Sequence, residues 1–402
     1  MLVSPERACF VITDLSGYTG YLTGTELDHA QDVLADLLET TLGVLSPLLR
    51  LDKLEGDAAF LYAPEAAIDG STLLDALESA YFTFRRRLRS IRQATTCQCN
   101  ACRTIPTLNL KFVAHHGAFV RQRIMGREEL AGRDVILVHR MLKNAVSARY
   151  RLHGYALLTA VCVTTMGLDP AALGLQPHIE TYEHIGEIPA FIHDLERRWR
   201  QEEETRRIRV TPEEADVHYV FDLPAPVPVV WDWNTDPSRR TQWVEDVVRV
   251  DMNTQGGRRG VGMTTHCVHG RDAHIEEIVD WHPFDYLSYV VRHPITGESL
   301  VTEVHEPIPG GTRLHFIMRV TSPEMRAMMA DPEHRAKFEQ FGREMQERYA
   351  RSVARLVEIL QAQLADRQAD LAAVAEAREQ LKATAAHYWQ TPENWVPGPA
   401  PG

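Results

Sequence analysis

In the first part of the chain, short apolar runs typical of strands alternate with segments whose apolar residues recur at helical spacing. Residues 8–14 form one apolar run of β-branched and aromatic residues, which is typical of a buried strand. Apolar residues between 27 and 42 then recur three or four positions apart, as on one face of a helix. Residues 50–64 alternate on both sides of Glu55 and Gly56, which predicts a hairpin with Asp57 at its tip.

The pattern continues to about residue 195. A second helix is predicted over residues 70–92, and a further helix begins near residue 134. Residues 107–119 and 155–163 are strand-like, and residues 180–195 contain two closing strands. Strands that alternate with helices predict an α/β layer in which one sheet carries helices on its face.

The second part of the chain has a different pattern. Residues 196–210 are highly charged and predict a linker helix. From Ala215 onward, strand-like segments follow one another between Pro and Gly pairs, which favours an antiparallel sheet with short connections. The helical stretch from about 323 to 389 keeps helical spacing of its apolar positions, so one face should lie on that sheet.

Length and composition limit the possible functions. A chain of 402 residues exceeds the size of one core and predicts two domains. The net charge of -12 argues against a nucleic-acid-coating protein and favours small ligands. Apolar stretches stay shorter than the roughly 20 residues that cross a bilayer, and the N-terminus lacks an export signal. We therefore expect no membrane insertion and a cytoplasmic location. The predicted divisions are residues 1–200, a linker at 201–213, a second domain at 214–362, a helix at 363–390 and a disordered tail at 391–402.

Half of the six cysteines lie in one short segment. Cys97, Cys99 and Cys102 are close enough to chelate one metal ion, and zinc commonly adds a histidine such as His115 or His116. The second ligand pair of a typical zinc motif is missing. The cluster is therefore either a zinc site or a group of reduced thiols in a surface loop.

Three segments resemble the signatures of class III adenylate and guanylate cyclase domains: "FVITDLSGYTGYL", "LDKLEGDAAFLY" and "AGRDVILVHRM". The resemblance covers about residues 8–195. It implies a ferredoxin-like α/β sandwich that pairs as a homodimer and cyclises a nucleoside triphosphate with two Mg²⁺ or Mn²⁺ ions. Asp14 and Asp57 would be the metal ligands, because hard cations accept carboxylate oxygens and clamp the attacking and leaving oxygens.

The same resemblance assigns nucleotide-binding residues. Lys53 and Glu129 match the pair that reads adenine, and Arg140 matches the arginine that stabilises the triphosphate in the transition state. Gly17 would let phosphate oxygens approach backbone N–H groups. Ile136 stands where the family has the asparagine that orients the ribose, and an apolar side chain cannot donate that hydrogen bond. The alternatives are a turn-forming role for Asp14 and solvated positions for Lys53, Glu129 and Arg140.

Residues 215–362 resemble the START-related superfamily of polyketide cyclases and lipid-binding proteins. The resemblance rests on "FDLPAPVPVVWDWNTDPSRRTQWVEDVVRVD", "IEEIVDWHPFDYLSYVV" and "PIPGGTRLHFIMRV", followed by a long helix. It implies a helix-grip fold, in which a curved sheet grips that helix around an apolar ligand cavity, without fixed catalytic residues. Trp231, Trp233 and Trp243 are expected to build the core.

Together these features predict an α+β protein with two ligand sites. One interpretation is a divergent class III nucleotidyl cyclase, a phosphorus-oxygen lyase regulated by an apolar small molecule. The alternative is a non-catalytic sensor in which both domains only bind ligands, and Ile136 favours it. Because one cyclase-like domain cannot close its own site, the first interpretation requires a homodimer.

Overall fold

A computed structural model of the chain describes residues 5–390 apart from 19–20, 22–26, 66, 95–103, 125–126, 205–206, 255, 270–271 and 294–296. The predicted cysteine cluster and the tail from residue 391 lie outside the described residues. The fold is α+β and contains two separate sheets, which we assign to an N-terminal and a C-terminal half.

The N-terminal half contains eight described strands and several helices. Its elements are β1 (Glu6–Ser16), α1 (Leu27–Leu45), β2 (Arg50–Glu55), β3 (Ala58–Pro64), α2 (Gly70–Ala94), a 3₁₀ turn (Ile105–Thr107), β4 (Asn109–Ile124), β5 (Arg127–Ala131), α3 (Arg133–Arg140), α4 (Val146–Tyr150), β6 (Tyr155–Thr159), α5 (Ala160–Thr165), β7 (Gln176–Tyr182) and β8 (Gly186–Asp194).

The N-terminal sheet has the strand order β2-β3-β1-β4-β6-β8-β7, and β5 pairs with β4. Only β4 and β6 are parallel among the described pairs. Strand β1 is central and buried on both faces, which explains its continuous apolar run. Val11 packs into the core beneath α1 and α2, whereas Phe10 packs into the core beneath α3. The expected strand at 155–163 is wrong beyond Thr159, whose side chain caps α5 by accepting from the N–H of Cys162.

The C-terminal half begins after α6 (Leu195–Glu204) and a 3₁₀ turn (Pro212–Glu214). Its elements are β9 (Val217–Leu223), α7 (Val227–Thr235), α8 (Pro237–Trp243), β10 (Val247–Asn253), β11 (Thr264–His269), β12 (Asp272–His282), β13 (Tyr286–His293), β14 (Gly297–Ile308), β15 (Gly311–Val320), α9 (Pro323–Met329) and α10 (Pro332–Gln390).

The C-terminal sheet is antiparallel, with the order β10-β11-β12-β13-β14-β15-β9. Helix α10 packs on it through the predicted apolar face, where Phe338, Val353, Leu356 and Leu360 are buried. The three tryptophans expected in the core are buried there. Within the described part of the chain, no helix is long and apolar enough to cross a membrane.

A buried network of charges joins the two halves. Arg258 lies in the connection from β10 to β11, and its guanidinium donates to Asp75 and Glu78 of α2 at 2.8 Å. Glu78 also accepts from Arg198 at 3.0 Å and contacts His193 at 2.6 Å. Since both carboxylates are almost completely buried, each depends on these partners for its charge.

The neighbouring Arg259 strengthens the junction. Its backbone N–H donates to Ser71 Oγ at 2.8 Å, and its guanidinium lies 3.2 Å from Asp69 and 3.4 Å from Asp232. The hydroxyl of Thr72 donates to Asp232 at 2.6 Å and so bridges α2 and α7 directly. Helix α10 contacts β9 of its own sheet and also β2 of the N-terminal sheet. The two halves are therefore linked by more than the connecting helix.

Candidate functional site

The end of β1 and the β2–β3 turn bring two carboxylates to one edge of the N-terminal half. Asp14 lies opposite Ala58 of β3 and Lys111 of β4. Asp57 occupies the turn, and its carbonyl oxygen accepts from the N–H of Leu15 at 3.3 Å. The structure thus brings together the two predicted metal ligands.

The acidic pair has a lysine partner that sequence reasoning missed. Lys111 Nζ lies 2.9 Å from Asp14 Oδ2, and both side chains are mostly buried. The same ammonium donates to the carbonyl oxygen of Leu142 at 3.2 Å. The signal was present in the sequence, because Lys111 is the one basic residue in the largely apolar segment from Leu108 to Ala114. A fixed positive charge already neutralises one oxygen of Asp14.

The surroundings of Asp57, the second carboxylate, disfavour its ionised form. Burial, followed by the charge of Asp14, raises the pKa of Asp57 from 3.8 to about 6, against a smaller opposing effect of Lys111. A divalent cation would stabilise the ionised form of Asp57. The donor set of Asp57 and the second oxygen of Asp14 therefore fits one hard cation, whereas a second ion would have to compete with Lys111.

Gly17 has a structural reason for being glycine. Its φ is +88°, and a Cβ there would lie 3.0 Å from the carbonyl oxygen of Thr107. A side chain would be both strained and crowded at this position. The backbone conformation explains the glycine, and its predicted role toward phosphate stays a prediction.

The residues predicted to read the base form a separate group. Lys53 lies on β2 and pairs with Glu55 at 3.0 Å. Burial raises the pKa of the adjacent Asp52 to about 6. The charges of Lys53 and His139 lower this pKa, whereas the charge of Glu129 raises it. The structure thus places Lys53 and Glu129 around Asp52, which sequence reasoning did not single out.

The two remaining residues of the third signature segment face outward. Arg140 ends α3, and its Nη1 donates to the backbone oxygen of Glu183 at 3.0 Å. Ile136 lies on the same helix and is 56% exposed, so it is not a core residue. Among the described residues, Arg140 is bonded to Glu183, away from the acidic pair.

The histidines considered as zinc ligands have other partners. His115 lies 2.9 Å from Thr159 Oγ1 and 3.6 Å from Asp134, and burial lowers its pKa. His116 Nδ1 lies 3.2 Å from Arg7 Nη2, and burial likewise lowers its pKa. The cysteine cluster itself falls outside the described residues, so the zinc hypothesis at Cys97, Cys99 and Cys102 stays a prediction.

A second candidate site is the cavity between the C-terminal sheet and α10. Its volume is about 480 Å³, within the range of small-molecule sites. Much of its wall is apolar or aromatic, and the residues of this kind are Tyr219, Trp243, Val244, Val247, Tyr289, Val291, Val301, Phe316, Met318, Phe341, Met345 and Tyr349. The START-like resemblance implied such a cavity.

One wall of the cavity carries paired polar groups. Arg240 Nη1 lies 2.5 Å from Glu276 Oε2. Burial alone would raise the pKa of Glu276, but Arg240 and His274 lower this pKa to about 2. Burial raises the pKa of Glu303, which accepts from the hydroxyl of Tyr289 at 2.8 Å. The wall therefore offers an ion pair and a buried carboxyl group that is hydrogen-bonded to a tyrosine.

Sequence reasoning predicted the cavity but not its polar wall. Glu276 on β12 and Glu303 on β14 each lie next to an apolar strand residue, Ile275 and Val304, and this was the available signal. Their orientation depends on the register of β12 with β11 and of β14 with β13, and their partner Arg240 comes from α8.

Two family profiles match separate parts of the chain. Residues 34–150 match a family described as a protein of unknown function (DUF2652), and residues 214–361 match polyketide cyclase / dehydrase and lipid transport. The second match confirms the START-like resemblance. Together with the two sheets, it defines a two-part α+β protein with a helix-covered cavity in its C-terminal half.

The chain belongs to the family of a Mycobacterium tuberculosis (strain ATCC 25618 / H37Rv) protein, uncharacterized protein Rv2561/Rv2562. The two are 36% identical over 165 residues, which cover 40% of this chain and 73% of that protein.

Solved structures similar to parts of the chain include two nucleotidyl cyclases. The guanylyl cyclase Cya2 is 13% identical, with 48% of this chain and 93% of that chain covered and a TM-score of 0.36. The adenylyl cyclase CyaB from P. aeruginosa is 12% identical, with 48% and 97% covered and a TM-score of 0.36. DynU16, from the dynemicin biosynthetic locus, is 21% identical, with 36% of this chain and 46% of that chain covered and a TM-score of 0.27.

Proposed function

We propose that the protein is a ligand-responsive nucleotide-binding protein. Its C-terminal cavity binds an apolar small molecule, and its N-terminal half binds a nucleoside triphosphate with a divalent cation at Asp14 and Asp57. The observation that carries the proposal is the cavity of about 480 Å³, with apolar walls and a charge-paired polar side. A preformed cleft of this composition is the usual form of a small-molecule site.

The acidic pair supports the nucleotide part of the proposal. Asp57 is an acid held near another carboxylate, so a cation that bridges the two would relieve the unfavourable charge on Asp57. Magnesium and manganese suit this oxygen donor set and commonly share their coordination with phosphates. Lys111 would add a second, permanent positive charge for the triphosphate.

The network around Arg258 and Arg259 supports communication between the two sites. Both arginines belong to the connection that leads into β11, the strand that contributes Cys267 to the cavity wall. Arg258 pairs with Asp75 and Glu78 of α2, and the N–H of Arg259 donates to Ser71 of the same helix, which packs against the N-terminal sheet. A ligand that shifts β11 would therefore perturb charges held by the nucleotide-binding half.

Cyclisation of the bound nucleotide is a second candidate function. The shared placement of Lys53 and Glu129 around Asp52 favours it. The apolar Ile136 and the contact between Lys111 and Asp14 favour binding without turnover. Incubation with ATP or GTP and Mn²⁺, followed by chromatographic analysis for cyclic monophosphate and pyrophosphate, distinguishes the two.

Cavity binding is testable with anilinonaphthalene sulfonate, a fluorescent apolar probe. Met345→Trp places a larger side chain in the cavity, because Met345 extends from α10 into its wall. We expect this variant to bind the probe about tenfold more weakly, a loss of about 1.4 kcal/mol. Met328→Trp is the matched control, since Met328 is 46% exposed on α9 and should leave binding unchanged. Equal probe affinity in both variants would contradict binding in the cavity.

A further inference from the structure

A cysteine, a histidine and a glutamate converge on the wall of the C-terminal cavity. Cys267 of β11 lies directly opposite His274 of β12, and Glu276 follows two residues later on the same face of β12. One ligand atom from each residue lies within 4.8 Å of the other two. Among the described residues, this is the group of three such side chains that meets the spacing for a shared metal ion.

We propose that Cys267, His274 and Glu276 form a transition-metal site of the zinc type. This metal site is separate from the proposed binding of an apolar molecule. It rests on that proposed function only for the identity of the fourth ligand of the metal. Thiolate, imidazole and carboxylate are the three donor types that zinc uses in proteins. At ordinary zinc–ligand distances, ligand atoms lie about 3.5 Å apart. The present 3.3 Å between His274 Nε2 and Glu276 Oε1 already fits this spacing.

The nearby Arg240 is compatible with a cation because it uses the other carboxylate oxygen. Its Nη1 contacts Glu276 Oε2, whereas Oε1 points toward His274. A ligating carboxylate is commonly held by such an outer hydrogen bond, which fixes its orientation. The positive charge of Arg240 is offset by the thiolate that metal binding creates, because the metal takes the deprotonated sulfur.

The sulfur of Cys267 is held in place by two polar contacts. Cys267 is completely buried, and Arg240 Nη1 donates toward its Sγ at 3.4 Å. His274 forms a further hydrogen bond with the same sulfur. These contacts hold the sulfur beside the imidazole and the carboxylate, and a metal ion would bind it as the thiolate.

The position of the three ligands predicts an open coordination site. All three line the cavity, so a fourth ligand would approach from the cavity interior. Three protein ligands with one exchangeable position are typical of zinc sites that bind small molecules rather than of purely structural ones. The ligand class expected is an apolar molecule that ends in a metal-coordinating oxygen or sulfur.

Cobalt substitution tests the site in the full-length protein. Cys97, Cys99 and Cys102 are first replaced by serine, so that the remaining thiols are Cys9, Cys162 and Cys267. After chelator treatment, titration with Co²⁺ should give one equivalent bound and a near-ultraviolet sulfur-to-cobalt charge-transfer band. The band should disappear when Cys267→Ser is added, and Co²⁺ affinity should fall by more than about tenfold.

Two further variants separate the site from general damage. Cys162→Ser alters another buried cysteine and should keep the band and the affinity. His274→Gln retains Cys267 and should weaken Co²⁺ binding while preserving circular dichroism. Absence of Co²⁺ uptake by the folded protein, or an unchanged band in Cys267→Ser, would overturn the metal site. Binding of anilinonaphthalene sulfonate measured in parallel distinguishes that outcome from failure of the proposed cavity function.

Discussion

Replacement of Arg258 by alanine tests the junction between the two halves. The change removes the guanidinium that donates to Asp75 and Glu78 at 2.8 Å. Glu78 keeps Arg198 and His193 as partners, so the loss falls mainly on Asp75. Burial raises the pKa of Asp75 to about 6 although Arg258 and Arg259 both oppose this, so loss of Arg258 should raise the pKa further.

The expected loss of stability follows from the burial of the partners. Breaking a buried ion pair from one side costs about 3–5 kcal/mol. Because one of the two carboxylates retains partners, we expect the lower end, about 3 kcal/mol. Arg313→Ala is the control, since Arg313 and Asp222 form an exposed pair at 2.8 Å whose loss should cost at most about 1 kcal/mol.

Urea unfolding, followed by tryptophan fluorescence and by circular dichroism, measures the effect. The Arg258→Ala variant should unfold at lower urea, and the two signals should separate because the halves no longer unfold together. Addition of Asp75→Asn should recover part of the loss by removing the unpaired charge. A loss below about 1 kcal/mol in Arg258→Ala, equal to that of Arg313→Ala, would refute the energetic role of the network.

Three further results are expected. Gly257→Ala should weaken the junction far more than Gly310→Ala. Both glycines have a positive φ, but only a Cβ at Gly257 would meet a backbone oxygen, at 2.0 Å. Equal melting temperatures of the two variants would contradict this expectation. The folded-state pKa of Asp57 is raised to about 6, so its contribution to stability is present at low pH and is lost as the pH rises through about 6. Without metal, the Asp57→Asn variant should therefore lose less stability than the wild type between about pH 4 and about pH 7. Parallel curves of stability against pH would contradict this expectation. If turnover is observed, inactive Asp14→Ala and inactive Arg140→Ala should regain activity when mixed as exchanging dimers, and continued inactivity would exclude a shared site.

The strands and helices with distinct periodicity were predictable from the sequence. Strand β1 and the β2–β3 hairpin were predicted because continuous burial and the Glu55-Gly56 turn leave local signals. Helix α7 was missed, since all nine of its residues are buried and it therefore has no polar face that would reveal helical spacing. Its valines and tryptophans favour a strand when considered alone.

The candidate sites were predictable only in part. The proximity of Asp14 and Asp57 was predicted because one lies at a strand end and the other at a hairpin tip, as in the class III cyclase domains that the sequence resembles. The contact between Asp14 and Lys111 depends on the pairing of β1 with β4, which are distant in sequence. Arg258 lies in a glycine-rich connection and has the sequence pattern of a solvated charge, although tertiary contacts bury it.

Reciprocal binding at the two proposed sites is the most direct test of the account. The affinity of Mn²⁺ with ATP, and separately with GTP, is measured by calorimetry with the cavity empty and with it saturated by anilinonaphthalene sulfonate. We predict that at least one nucleotide binds in a metal-dependent manner and that the probe changes its affinity by about fivefold or more, with an equal change in probe affinity when nucleotide is present. Nucleotide binding that is absent, or that is the same with and without the probe, would contradict a ligand-responsive nucleotide-binding protein.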